Sequence, residues 1–516
     1  MVSLYDLFLY TIIFFIYLVF MVLLGTCFKN RSKKYNLPPS PLGLPIIGHL
    51  HLLDTFPNRS FQKLSSRYGP IFYLRLGSHP CVVTSSPELA KELLMNNEKK
   101  FLTHPASIAI HHVTYESSGF AFCSYGPYWK FMKKLVMSQF LGGSALVQLQ
   151  PVRKDEIHRL VRYLVSKSKE GAEVNVTDEL MKLSTNIVTR MMVTNRYSTD
   201  GKEAQDEELR NLIREVSGIF GLLNVHDFLD FIPRFFDFQG VLKTAKDVRR
   251  RYNVLLEEIM VDREEARKTR KGDGERDVLD MLLDAVADEK SDVKITRDNV
   301  KAVVLDIVTA GTDTSAGAVE WALAELINHP KIFKKARAEI DSVVGVMNRL
   351  VEESDLPSLP YLQAIFKEIL RLHPPVPLLI RDSTHDCKVG GYDIPANTRL
   401  FVNVWSMNRN PKYWKDPLEF KPERFIANEN TGENYDVKGQ HFEFLPFGTG
   451  RRGCPGMWLS LLEVPTVLAA MVQCFDWKIV GKDPMIDMSE RFGLTLPKAD
   501  PLTLIPVTRF DPCIVV

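Results

Sequence analysis

The apolar pattern opens with an unbroken run. LFLYTIIFFIYLVFMVLLGTCF, residues 7–28, carries no charge. At about 1.5 Å rise per residue, such a helix reaches across a bilayer core. Asp6 precedes it, and Lys29, Arg31, Lys33 and Lys34 follow. That charge order predicts an uncleaved anchor with the body on the cytosolic side. LPPSPLGLP, residues 37–45, comes next, and its four prolines predict a stiff extended spacer. The expected organisation is an anchor over 1–30, a basic, proline-rich hinge over 31–46 and a body over 47–516.

Within the body the period changes. Ile71 to Ser86 holds two β-rich runs around Gly-Ser-His-Pro, which predicts a hairpin. From about Pro87 to Pro374 helical patterns dominate, and the charged stretch Asp262 to Asp277 reads as a solvated helix end and loop. Beyond Pro374 come short strands and turns, such as Cys387 to Trp405. A last apolar helix, MWLSLLEVPTVLAAMVQCF, follows a glycine-rich loop. No internal repeat is visible. The fold class is therefore mainly α with a smaller β-rich part.

Three stretches do not suit a plain core. Val300 to Pro330 is apolar nearly all round, as a buried central helix would be. Its middle, however, reads Ala310-Gly311-Thr312-Asp313-Thr314-Ser315. A buried carboxylate beside alcohols is costly unless satisfied, so the stretch is either a kink with a satisfied polar cluster or a proton-delivery site. Glu368 and Arg371 share one face of an apolar helix, Tyr361 to Pro375; buried, the pair needs more partners, and Arg424 in PERF is a candidate. The third stretch is FGTGRRGCPG, Phe447 to Gly456. Cys454 there precedes an apolar helix, whose N-terminal N–H groups, with Arg451 and Arg452, favour a thiolate. Such a thiolate could be a nucleophile, a redox thiol or a metal ligand. No histidine has the context of a partner base and no resolving cysteine is near, so a soft ligand to iron fits the loop best.

Composition narrows the classes further. The net charge of +2 leaves no clustered basic excess, so nucleic acid is not an expected partner. Seven cysteines, odd in number and scattered without C-x-x-C, indicate neither a disulfide framework nor a zinc site.

Together these stretches resemble the cytochrome P450 superfamily. Phe447 to Gly456 matches its F-x-x-G-x-R-x-C-x-G loop, Glu368-x-x-Arg371 with Arg424 its structural cluster, and Ala310 to Ser315 its oxygen-activation motif. The resemblance implies the cytochrome P450 fold with a single N-terminal transmembrane helix in the endoplasmic reticulum membrane, and haem b as cofactor. Cys454 would be the axial ligand of its iron. Trp129, Lys133, Arg381 and Arg452 would meet the propionates, and Ala310, Pro446, Phe447 and Gly456 would contact the ring. Lys133 departs from the arginine many relatives carry, which turns a bidentate contact into a point charge. Asp313 and Thr314 would be catalytic, relaying protons to dioxygen, which argues against a non-catalytic haem carrier or sensor. A G-x-G-x-x-G fingerprint after a strand is absent, so NADPH electrons would arrive from a separate NADPH–cytochrome P450 reductase.

The stretches GQHFEFLPFGTGRRGCPGM, YDIPANTRLFVNVW, FDFQG and YGPYWKFMKKL are most similar to plant microsomal members acting on flavonoids, above all the flavone synthase II or flavanone 2-hydroxylase type. 2-Hydroxyisoflavanone synthases and pterocarpan hydroxylases share several of them, and a triterpenoid hydroxylase is a further alternative on the same fold. A phenolic substrate would be lined by Ser107, Val113, Phe122, Ala310, Val376, Leu378, Leu379 and Leu494.

Overall fold

A computed structural model describes residues 6, 8–17, 19–20, 35–193, 203–221, 224–229, 232, 237–269, 277–288, 290–346, 349–426 and 435–511. Of the N-terminal apolar run it gives the helix Phe8–Tyr17, with its side chains exposed. That is shorter than the roughly 20 residues a span needs, so a single transmembrane helix is not established. Most of the remaining run, the basic residues after it, Phe236 of FDFQG, residues 270–276 of the charged stretch, Cys27 and Cys513 lie outside the described residues. Two described helices, Arg297–Asn328 and Met457–Cys474, are long and apolar enough to cross a membrane. Most of each is buried within the fold, so these are core helices.

The chain divides into two compact units. The first comprises residues 1–105, 225–236 and 378–407. Its sheet begins with the expected hairpin, Ile71–Leu76 paired antiparallel with His79–Thr84. His79–Thr84 then pairs parallel with Arg399–Asn403, which pairs antiparallel with Leu378–Asp382. Phe61, from the helix Pro57–Tyr68, closes one face, its ring 5.2 Å from that of Phe401.

The second unit, residues 106–224, 237–377 and 408–516, is mainly helical. A small sheet at its periphery joins Val174–Asn175, Thr503–Thr508 and Phe475–Ile479. Its axis is the 32-residue helix Arg297–Asn328. Thr296 Oγ1 accepts the Asn299 N–H and Asn299 Oδ1 accepts the Thr296 N–H, a capping box that starts the helix sharply. Helices Val176–Met192, Met457–Cys474, Pro360–Leu372 and Glu203–Gly221 pack around it. The helix runs unbroken through Gly311. A Cβ there would stand 2.9 Å from Val188 Cγ2, so the glycine serves close packing against Val176–Met192.

Candidate active site

In the second unit the Phe447–Gly456 segment folds back on itself. The Cys454 N–H donates to Phe447 O at 2.8 Å and the Gly453 N–H to Gly450 O at 3.0 Å. Gly448 and Gly450 take left-handed φ values of 67° and 70°, which is what lets the chain turn so tightly. Pro446 and Phe447 are half-buried. The helix Met457–Cys474 begins just beyond, and the N–H groups of Gly456 and Met457 point at the sulfur.

Cys454 is accessible even though protein surrounds its sulfur closely. Burial pushes its thiol up; the two N–H groups and Lys133 oppose that shift without overcoming it. Here the structure corrects a sequence expectation. The positive potential at the sulfur comes from Lys133, because Arg451 faces solvent and the Arg452 guanidinium turns toward other partners. A metal cation on the sulfur would deprotonate it outright.

Arg452 donates to Cys123 O at 2.6 Å, Phe120 O at 3.3 Å and Ala121 O at 3.4 Å. Its guanidinium lies 4.8 Å from the centre of the buried Trp129 ring, and Lys133 Nζ lies 4.9 Å from the same ring. Lys133 also donates to Arg451 O at 2.6 Å. Three residues predicted to meet propionates are thus clustered, and desolvation lowers the Arg452 pKa. A part-buried cation gains most from an anion brought beside it.

Between Val300 and Asn328 the central helix has one exposed residue, Ala310, in its middle. A single accessible position flanked by buried turns marks an interior cleft. Thr314 Oγ1 donates to Ala310 O at 2.6 Å, and Asp313 Oδ2 accepts from Thr495 Oγ1 at 2.6 Å. Asp313 and Thr314 therefore have partners, the buried Thr312 Oγ1 has none among the described residues, and all three lie beside the bared position of the helix. An accessible thiol at a helix start, two cations on one indole and a bared alanine together fit a flat, anionic, iron-bearing cofactor.

Glu368 and Arg371, on the helix Pro360–Leu372, have no exposed side-chain surface. Arg371 donates to Glu368 Oε2 at 2.7 Å and Oε1 at 2.8 Å, then to Asn408 O and Pro417 O, both at 2.7 Å. Arg424 Nε adds 3.0 Å to Glu368 Oε1, and the Lys421 N–H adds 2.8 Å.

The sequence-predicted pocket residues divide. Phe122 is half-buried and meets Phe220 edge to face at 5.2 Å; Val376 and Leu494 keep accessible surface. Ser107 caps the helix Ile108–Val113 by accepting the Ile110 N–H. Val113 is fully buried at that helix's end, packed in the core. Leu378, Leu379 and Arg381 lie on a strand of the other unit, where Arg381 donates to Ile380 O at 2.7 Å.

Sequence reasoning missed Asp306. Fully buried one turn before Ala310, its carboxylate accepts the Ala121 N–H at 2.9 Å. Gly119 makes room for it, since a Cβ there would stand 2.1 Å from Asp306 Oδ2. Asp306 thus fastens the loop whose carbonyls hold Arg452. The visible signal was an acid in an apolar run, four residues before Ala310.

Burial pushes the Asp306 carboxyl up to about 7, and does the same to Glu463, whose Oε1 accepts from Ser184 Oγ at 3.1 Å. Acids raised on folding contribute stability in full below their unfolded pKa and lose it as pH rises through the folded one. Stability should therefore fall by a few kcal/mol per group as pH climbs from about 4 to about 8. Urea midpoints across that range check this: Asp306→Asn and Glu463→Gln should each flatten the slope, and an unchanged slope in both would contradict it.

The cytochrome P450 family model matches residues 38–504. Cytochrome P450 93B2 of Gerbera hybrida is 50% identical over 97% of both chains. The 3,9-dihydroxypterocarpan 6A-monooxygenase of Glycine max is 48% identical, covering 94% of this chain and 95% of its own. The 2-hydroxyisoflavanone synthase of Glycyrrhiza echinata is 42% identical, covering 93% and 94%. A zebra fish cytochrome P450 solved with abiraterone superposes with a TM-score of 0.72 at 26% identity, covering 88% of this chain and 100% of its own. Loop, cation cluster and central helix agree with that match, and the chain belongs to the cytochrome P450 family, as a haem monooxygenase that receives NADPH electrons through a reductase.

Proposed function

We propose that this chain oxidises a flavanone at C2, yielding a 2-hydroxyflavanone or, with loss of a second hydrogen, the flavone. The supporting observation is graded similarity. The relatives named for pterocarpan and isoflavanone chemistry are 48% and 42% identical, whereas the beta-amyrin 24-hydroxylase of Glycine max is 40% identical. Flat, oxygenated aromatic ligands suit the half-buried Phe122–Phe220 pair better than a bulky aliphatic skeleton does.

Haem, when bound, supplies the insertion of one oxygen atom from dioxygen. The chain's own residues do the rest. Cys454 would hold the iron through a thiolate that donates electron density. Arg452 and Lys133, braced on Trp129, would neutralise the propionates, with Arg381 as a further candidate; Pro446, Phe447 and Gly456 would pack against the ring. Ala310 would leave space for dioxygen and substrate, and Asp313 and Thr314 would hold and pass the proton that oxygen activation consumes. Ser107, Val113, Phe122, Val376, Leu378, Leu379 and Leu494 remain candidates for substrate contact. The Glu368–Arg371–Arg424 cluster would have a structural role. Residues 1–30 would anchor the chain in the endoplasmic reticulum membrane beside its reductase, the body facing the cytosol.

Microsomes containing this chain and a reductase, given NADPH and a flavanone, test the reading by product mass. Flavone or 2-hydroxyflavanone supports it. A hydroxylated pterocarpan or 2-hydroxyisoflavanone as the sole product, each from its own precursor, would move the chain to the chemistry named for its relatives.

A further inference from the structure

The carboxylate assigned above to proton delivery is not held by its own helix. Asp313 Oδ2 accepts a hydrogen bond from Thr495 Oγ1 at 2.6 Å, across 182 residues of sequence. Thr495 is buried, and the backbone on either side of it is fastened from three directions. The Leu494 N–H donates to Ser217 O at 3.3 Å and the Leu496 N–H to Pro375 O at 3.1 Å. Trp321 Nε1, two turns beyond Asp313 on the central helix, donates to Leu496 O at 2.9 Å. The Trp321 indole is itself stacked on the His373 ring at 4.2 Å and 5°, and His373 Nε2 meets Glu325 Oε1 at 2.7 Å. The Thr495 hydroxyl therefore sits in a rigid mount aimed at one carboxylate oxygen. A mount of this kind suits a group that must be placed accurately.

We propose that Thr495 is the positioning residue that holds the Asp313 carboxylate in its proton-delivery orientation. Thr314 needs no such external support, since its hydroxyl is held within the helix by Ala310 O. Asp313 is only half-buried and could otherwise turn toward the opening at Ala310. The neighbour of Thr495, Leu494, belongs to the proposed substrate lining. Substrate contact and proton delivery thus share one pinned dipeptide. The proposal rests on the reading of Asp313 as a proton carrier.

Proton delivery decides where NADPH electrons go. In the coupled reaction one substrate, O2, NADPH and H+ yield hydroxylated product, water and NADP+. When the proton is misdirected, O2, NADPH and H+ yield hydrogen peroxide and NADP+. The experiment compares wild type, Thr495→Val, Thr495→Ser and Asp313→Asn in the reductase-coupled holoenzyme. It measures hydrogen peroxide released per NADPH, the solvent isotope effect and the infrared band of the Asp313 carboxylate.

Thr495→Val should raise peroxide per NADPH roughly three- to tenfold, the scale set by the loss of one ordinary hydrogen bond. It should also shift the carboxylate band, while Thr495→Ser restores both. Combined with Asp313→Asn, it should add nothing further. If Asp313→Asn uncouples and Thr495→Val does not, the proposal is overturned and the reading of Asp313 stands. If Asp313→Asn leaves coupling at the wild-type value, that reading itself falls. A Thr495→Val protein with a lower melting temperature but an unmoved carboxylate band and peroxide ratio would make Thr495 merely structural. Where valine prevents folding, Thr495→Ala removes the same hydroxyl and takes its place.

Discussion

Arg371→Ala should leave little or no folded, haem-loaded protein. The guanidinium has no exposed surface and satisfies both oxygens of Glu368 together with carbonyls at Asn408 and Pro417. Alanine would remove every one of those bonds and leave the buried Glu368 with only Arg424 and the Lys421 N–H. Breaking one partner of a buried ion pair costs about 3–5 kcal/mol. Native domains have only about 5–15 kcal/mol in total, and here orphaned carbonyls add to the loss. Arg424→Ala should be milder: Glu368 keeps Arg371 and the Lys421 N–H, and part of Arg424 borders solvent. Yield of haem-containing protein and thermal midpoints check the order. Equal midpoints for wild type and Arg371→Ala would show that the buried pair carries no stability.

Cys454→Ser should have the largest effect on chemistry with little on the polypeptide. The turn around Cys454 is held by backbone bonds to Phe447 and Gly450, which serine retains. Only the soft ligand is lost, and an alcohol is a poor substitute for a thiolate on iron. Folded protein with no detectable monooxygenase turnover is the expected result, read by circular dichroism alongside product formation. Turnover within about tenfold of wild type would mean that the sulfur is not the ligand.

Much of the architecture was legible in the apolar pattern. A run without a polar face from Val300 to Pro330 could only be an interior helix, and the structure places it at Arg297–Asn328 in the middle of the second unit. The hairpin at Ile71 and the last helix after the Cys454 loop follow from equally local signals. Glu368–Arg371 was harder, because an i,i+3 pair looks the same whether buried or exposed. What distinguishes it are the carbonyls at Asn408 and Pro417, brought back from some forty residues away. The roles of Asp306 and Thr495 were hard to read for a similar reason. Each is one residue whose meaning depends on a partner distant in sequence, the loop Gly119–Ala121 for one and Asp313 on the central helix for the other. The Arg451–Arg452 pair misled for the opposite reason. Adjacency in sequence suggested both charges at the sulfur, whereas the short turn Gly450–Arg452 sends one to solvent and the other to the Phe120–Cys123 carbonyls.

The central claim is that Cys454 ligates haem iron through its sulfur. The most direct test is the ferrous–carbon monoxide difference spectrum of the purified holoprotein, measured beside Cys454→Ser. Wild type should show the strongly red-shifted Soret band that thiolate ligation produces, and Cys454→Ser should lack it. A folded, haem-containing wild type whose band sits at the unshifted position, or a Cys454→Ser protein that keeps the red-shifted one, would contradict the assignment.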